Sequence, residues 1–437
     1  MKHFILIIFL SLTFTGIKSL SAQTQTMKDS ISLSNVLKQV ITNYPAIKKN
    51  EEELYAADAR INLAKSGYLP DISINSSYAH IGPLSSLDVP GLGNFSLYPA
   101  DNYSASVDYH QSIYDFGRTT KNVAFENKNK EIVNLSTDQL KQHLSLSVIN
   151  VYYSIVFLQE AIRIKDEQLS TLNEHLQFVE KKKATGSATQ YEVLTTKVRI
   201  STVENQKTDL QTLLKVQICQ INSLLGQPEK TAILLRKELQ PIQFINSTDS
   251  LIVVASQKRK EMKMAQEKTI LSELHFKVVG AENNPAFNFI ASGGVKNGFI
   301  PDINEGRLNY AVGVGVKIPV YDASHTKYNL LKVKAEIQSN KEDMELTRRN
   351  IVNGVVESQA NMQAALQKIS QSELQLRQAQ QAYALAETSF KSGVITNLEL
   401  LDNSTSLSEV GLSVLKSKID YSLSLLKLKI SIGEQIY

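Results

Sequence analysis

A mainly α-helical chain with a small membrane β-barrel is the fold class this sequence predicts, built from long antiparallel coiled-coil helices and four β-strands per chain. Three observations predict it. The sequence repeats at a fixed offset of 207 residues: Tyr114-Asp115 recurs as Tyr321-Asp322, Gly186 as Gly393, and Gly226 as Gly433. Between these landmarks Thr189, Glu192 and Leu194 recur as Thr396, Glu399 and Leu401. Landmarks spread over about 110 residues keep one register, so the halves share an architecture and not merely a motif. Each half also holds a very long heptad-patterned stretch, and each holds two segments of period-two alternation. The chain divides accordingly into a leader (1–22), a first repeat (23–226), a linker (227–248) and a second repeat (249–437).

The elements follow in order. Lys2 precedes the apolar run Phe4 to Leu12, and Ser21-Ala22 offers a cleavage site, which is the pattern of a secretory signal. No Cys follows that run, so an N-terminal lipid anchor is not expected. Ser32 to Lys65 reads as a helix capped by Ser32 or Ser34 and kinked at Pro45, ending at Gly67 and Pro70. The period then changes. Ile72, Ile74 and Tyr78 alternate with polar residues along a first strand, and Tyr103, Ala105, Val107 and Tyr109 along a second. The Gly- and Pro-rich segment from His80 to Ala100 reads as a loop.

From Gly117 to Lys183 the sequence has no proline and no internal glycine, enough for a helix roughly 100 Å long. Val148, Val151, Ile155, Leu158, Ile162, Leu169, Leu172, Leu176 and Val179 step by three, four and seven, a heptad seam. Gly186 to Thr189 breaks it, and a second helix runs from about Gln190 to Leu225, stopped by Gly226-Gln227-Pro228. The second copy repeats the plan. A helix covers Asp249 to Val279, strands run through Phe287 to Ala291 and Tyr310 to Ile318, and a long helix reaches Phe390. Its seam keeps the register with smaller side chains (Ile155 to Met362, Leu158 to Ala365, Leu172 to Ala379), so the two seams are expected to meet different neighbours or to pack at different distances.

Composition narrows the function. The net charge of +4 falls to +2 without Lys2 and Lys18, too balanced to argue for nucleic acid. The single cysteine, Cys219, excludes a disulfide within one chain and is expected as a buried small side chain. No segment after the leader has ~18 uninterrupted apolar residues for a membrane helix, so membrane contact would use β-structure. Four strands cannot close a barrel, and open edges in lipid leave N–H and C=O groups unpaired. Several chains must therefore share one barrel. Catalysis finds no candidate: the seven histidines are scattered, there is no HExxH or CxxC, and no cofactor is expected. Gly293-Gly294 and Gly313-x-Gly315 lie inside strand patterns, where small residues facing a barrel interior explain them better than phosphate binding.

With these elements in place, the chain resembles the TolC-like outer-membrane efflux protein family over its whole mature length. The resemblance rests on the two-fold repeat, the segment Tyr114-Asp115-Phe116-Gly117-Arg118, the turns Ala184-Thr185-Gly186 and Lys391-Ser392-Gly393, and the ending Ile221-Asn222-Ser223-Leu224-Leu225-Gly226. It implies a homotrimer with a twelve-stranded barrel in outer-membrane lipid and a helical barrel in the periplasm of a Gram-negative bacterium. It also implies export in company with a periplasmic adaptor and an inner-membrane pump. A secreted coiled-coil stalk or adhesin is the alternative; it explains the heptads but not the paired strands.

The turns and the helix starts after them would form the tip distant from the membrane. Three acids cluster there: Glu192, Glu399 and Asp402, the last two on one helix face. Acids near a helix N-terminus are also favoured by the helix dipole alone. The resemblance implies that these three line a closed entrance, where a three-fold axis would make them rings attracting cations. It also implies that the best-known members close the tip with a Tyr and an Arg; here Phe390 and Ile395 stand in those places. Closure is therefore expected to be more apolar, with Ile395 and Val394 narrowing the pore. Gly186, Ser187, Thr189, Gly393 and Thr396 are expected at the turn surface, as adaptor contacts.

Overall fold

The computed structural model describes residues 30–91, 93–242 and 247–436. The leader expected at residues 1–22 lies outside them. The first half runs α1 (Leu33–Asn43), α2 (Pro45–Ser66), β1 (Asp71–His80), β2 (Ser86–Val89), β3 (Gly93–Ser96), β4 (Asp101–Tyr114), α3 (Arg118–Ala184) and α4 (Gln190–Leu225). The second runs α5 (Thr248–Lys258), α6 (Lys260–Val279), β5 (Ala286–Lys296), β6 (Arg307–Lys317), α7 (His325–Lys391) and α8 (Asn397–Ser431). The two long helices, α3 and α7, have 67 residues each, about 100 Å at 1.5 Å per residue.

Two expectations need correction. The segment from His80 to Ala100 is not only loop: β2 and β3 pair there as a small antiparallel hairpin. The single helix expected over Asp249 to Val279 is broken at Arg259. In the first half the break falls at Tyr44, where Pro45 forces the preceding residue out of the helical region. Arg259 adopts the same extended backbone with no proline after it. Its cause is tertiary. The Arg259 guanidinium donates to both carboxylate oxygens of Glu261 (2.8 and 2.7 Å) and to the Ser431 carbonyl at the end of α8 (3.2 Å). Gly433 is packed so closely on this bend that a Cβ there would stand 2.8 Å from the Lys258 Cβ.

The four long strands form one antiparallel sheet in the order β1-β4-β5-β6. The register puts Ile74 beside Val107, Val107 beside Gly293, and Gly293 beside Tyr310. Since side chains alternate across a sheet, one face carries Ile72, Ile74, Val107, Val312, Val314 and Val316, all exposed in the single chain. Apart from Ile290 the opposite face is mainly polar or small, and at its centre the Asp108 carboxylate accepts from Asn75, Ser106 and Ser292. Gly294, Gly313 and Gly315 lie on this polar face, and Gly293 on the apolar one. The outer edges of β1 and β6 have no strand partner among the described residues.

Strand turns into helix through a left-handed pair in each half: Phe116-Gly117 (φ 53° and 82°) and Ala323-Ser324 (φ 54° and 64°). The preceding aspartate steadies each bend. Asp115 accepts from the Thr119 N–H (2.7 Å), and Asp322 from the Thr326 N–H (2.9 Å). Only the first copy has a glycine for this conformation. In the second, Asp322 also accepts from Asn283 (2.6 Å), which helps to offset the strain of two non-glycine residues.

The helices pack as two antiparallel hairpins, α3/α4 and α7/α8, with α8 the arm that meets α3 and α4 of the first. The first core joins Val36, Val40, Val148, Ile155, Ile221 and Leu426 from α1, α3, α4 and α8. The second joins Ala255, Val355, Met362, Ala365 and Leu425 from α5, α7 and α8. Equivalent seam residues such as Ile155 and Met362 thus meet different neighbours, the first of the two arrangements the sequence leaves open. One stretch of α3 is apolar and long enough to cross a membrane by length and composition; more than half of it is buried within the chain.

Candidate functional site at the hairpin tip

Both hairpins turn by the same device. A helix ends, a glycine takes a left-handed conformation (Gly186 φ 75°, Gly393 φ 78°), and the next N–H reaches back to a carbonyl five residues earlier. These bonds are Ser187 N–H to Lys182 C=O and Val394 N–H to Ser389 C=O, each 2.8 Å. The following helix is then capped by a threonine. The Thr189 hydroxyl accepts from the Glu192 N–H (3.2 Å), and the Thr396 hydroxyl from the Glu399 N–H (3.3 Å). The second cap is a full capping box, because the Glu399 carboxylate accepts from the Thr396 N–H at 2.7 Å. This backbone hydrogen bond, with one from the Thr396 hydroxyl, holds Glu399 below the usual carboxylate range.

The tip acids therefore differ in situation. Glu399 is exposed but committed to its cap. Asp402, also exposed, accepts from Arg199 of α4 at 2.6 Å. Glu192 is half-buried, and its backbone carbonyl takes part in the contact described next. Val394 is 76 % exposed, whereas Ile395 packs against Val179, Val193, Ala386, Phe390 and Leu400 within the chain. Gly186, Ser187, Thr189, Gly393 and Thr396 are all exposed at the turns.

The contact that joins the hairpins was not legible in the motifs. Asn397, buried at the start of α8, presents its amide nitrogen to the Glu192 carbonyl (3.2 Å) and to the hydroxyls of Thr195 (3.3 Å) and Thr196 (3.2 Å). Its amide oxygen accepts from His175 Nε2 of α3 at 2.6 Å. The His175 ring meets Phe390 edge-on, and the Lys182 ammonium lies 5.0 Å from the Phe390 centroid. One amide thus binds α3, α4 and α8 together. A signal for it existed in the repeat. His175 aligns with Ala382, Asn397 with Gln190 and Arg199 with Ser406, so each of these linking side chains is one the copies do not share.

Burial pushes the His175 imidazole below its usual range; its bond to Asn397 and the charges of Glu192 and Glu387 oppose this, and Lys182 reinforces it. A depressed folded-state value means stability that is complete above the unfolded pKa, ~6.5, and lost as pH falls through the folded one. The protection of amides in the first turns of α8, measured relative to the intrinsic exchange rate at each pH, is therefore expected to fall as pH drops below ~6.5. This loss of protection should vanish in His175→Gln. A wild-type profile that matches the variant would refute the assignment.

Among the described residues no group of three or more His, Cys, Asp or Glu stands ready to hold a metal. Cys219 is exposed on α4, not buried as expected. It lies on a helix whose outer side, with Leu213 and Val216, finds no cover within the chain.

Comparison with known proteins agrees over nearly the whole length. A family model described as outer membrane efflux protein matches residues 36–227 and 251–434. Outer membrane protein TolC of Escherichia coli K12 is 19 % identical, over 98 % of this chain and 85 % of its own. TolC of Vibrio cholerae is also 19 % identical, over 92 % and 90 %. Among solved structures, CusC superposes with a TM-score of 0.77 at 17 % identity, covering 92 % of both chains. The outer membrane protein VceC of Vibrio cholerae gives 0.74 at 17 %, covering 93 % of this chain and 97 % of its own.

Proposed function

The chain belongs to the outer membrane efflux protein family, and from that premise we propose that it is the passive exit duct of a tripartite export system. Three copies would close twelve strands into one barrel in outer-membrane lipid. The helical hairpins would hang into the periplasm and meet a periplasmic adaptor and an inner-membrane pump at their tips. Energy would come from the pump, since the duct itself binds no nucleotide in this reading. The carrying observation is the sheet: four strands with one continuous apolar exposed face and two free edges, mounted on hairpins of equal length. In lipid such edges must pair, and a second copy offers the complementary edge. Exposed Tyr191, Leu194, Val198, Leu213 and Val216 along α4 give self-association an apolar surface as well. A secreted stalk has no use for that sheet.

At the tip, a three-fold axis would set Glu192, Glu399 and Asp402 as rings around the entrance, with Val394 the apolar element nearest to it. The turn residues Gly186, Ser187, Thr189, Gly393 and Thr396 would meet the adaptor. The test is conductance. Protein extracted in detergent is expected to be trimeric and to form cation-preferring channels in planar bilayers. Combining Glu192→Gln, Glu399→Gln and Asp402→Asn should reduce the cation preference severalfold. A detergent-free soluble monomer, or a bilayer with no channels, would defeat the proposal.

A further inference from the structure

Two faces of α8 are covered within the chain. On one, Tyr421, Leu425 and Leu428 meet α5 and α7. The other turns to the first hairpin. There Leu401 packs with Leu172, Ile200 and Val203, and Ser408 accepts from Lys165 of α3. Leu415, Ile419 and Leu426 join the core around Val148 and Ile155. These five positions step by seven, seven, four and seven, a heptad strip, and all are buried. Shifted by the 207-residue repeat, they fall on Leu194, Ser201, Thr208, Thr212 and Cys219 of α4. Every one of those five is exposed. The contrast is plain at the first pair: Leu401 is 2 % exposed and Leu194 52 %.

The surface that receives the α8 strip also has a copy. On α7, Leu172 becomes Ala379 and Leu158 becomes Ala365. Leu172 is buried beside Leu401, whereas Ala379 is only half-buried, and α7 packs on α5, α6 and α8 of its own chain. The chemistry of the two strips differs in a telling way. On α8 the strip is mostly Leu and Ile and is covered as the chain folds. On α4 it is one Leu followed by Ser, two Thr and Cys. Such a strip costs little to leave in water, and its small side chains let a facing helix with alanines come close. It suits a surface that stays bare until assembly.

We propose that this strip of α4 docks on α7 of a second copy, in the register that α8 already uses on α3. The joint rests on the self-assembly proposed above and gives it a residue-level register. Two hairpins per chain alternate around a closed ring. Within a chain α8 of the second hairpin meets the first, so between chains α4 of the first must meet α7 of another copy's second hairpin. Leu194 then sits on Ala379 of the second copy, and Cys219 is covered. Gln190 and Ala382 stand here in the places of Asn397 and His175, so the joint between copies lacks the amide link that ties the hairpins within one chain.

The first test needs no substitution, because Cys219 is the chain's single cysteine. In the full protein in mild detergent, a maleimide is expected to label it on the order of tenfold more slowly than after dissociation in hot SDS. The second test takes Cys219→Ser as background and combines Leu194→Cys with Ala379→Cys. A short bis-maleimide should then give covalent dimers and trimers, and neither substitution alone should. A protein that is monomeric in detergent would end both the duct and this joint. A trimer that labels freely at Cys219 would overturn the joint alone. So would a slowly labelled Cys219 without the covalent ladder, since a surface other than α7 would then cover α4.

Discussion

Gly294→Ala is expected to lower the amount of assembled membrane form at least tenfold. Gly294 lies opposite Ser106 at the seam between β4 and β5. A Cβ added there would stand 2.1 Å from the Ala105 carbonyl oxygen and 2.7 Å from the Ser106 Cα. Both are backbone atoms of a central strand, so no side chain can give way. The strands must part, and each ladder bond lost in lipid costs several kcal/mol by the usual penalty for unpaired backbone groups, ~4 or more. The measurement is the fraction of protein that resists extraction without detergent and migrates as a folded oligomer. Gly313→Ala is the control. Gly313 shares the sheet, but an added Cβ meets nothing within 4 Å, so near-normal assembly is expected. Normal assembly of Gly294→Ala would show that the β4–β5 seam is not as close as described.

The second large effect is expected from Asn397→Ala. The substitution leaves the Glu192 carbonyl and the His175 N–H without their buried partner, a cost of about 1–3 kcal/mol. Each 1.4 kcal/mol is tenfold in an equilibrium, so the joined arrangement of the hairpins should lose roughly tenfold or more in population. The long helices keep their own cores, and the protein should still fold and insert. In planar bilayers the variant should show a higher open probability or a larger unit conductance than wild type. Asn403→Ala removes only a bond to the Glu399 carbonyl within α8 and should leave conductance alone. If Asn397→Ala conducts as wild type does, the amide is a packing feature and holds nothing shut.

The fold was largely readable because its signals are long. A heptad seam summed over 67 residues, a period of two over ten residues, and a glycine at each turn all act locally, and the repeat doubles each of them. What escaped was tertiary. The bend at Arg259 depends on Ser431, far away in sequence, and no local rule marks it. The β2–β3 hairpin hid in a segment rich in glycine and proline, where turn residues mask short strands. The exposure of Cys219 depends on which side of α4 the chain leaves uncovered.

The tip was read less completely. The acids and turn residues were visible as repeat partners, and the caps they form are local. The joining contact uses His175, Arg199 and Asn397, which bear no motif and meet only once two hairpins pack. Ile395, expected from sequence to narrow the pore, also packs within the chain against the cluster around Phe390. A side chain next to a turn can point inward or outward, and only the packed helices decide.

The central seam of the sheet also fixes a timetable. β1 with β4, and β5 with β6, pair between near neighbours in the chain. Asp108 and Ser292, bonded across β4 and β5, are 184 residues apart. Contacts of such separation form late, because the intervening loop must first lose its freedom. During export β1 and β4 therefore emerge and wait, greasy face bare and both outer edges unclaimed, while α3, α4 and the following segment are still being delivered. A newly secreted molecule spends this interval as its own aggregation hazard. Holding that half-built sheet apart from its siblings becomes a task for whatever receives the chain on the far side of the inner membrane.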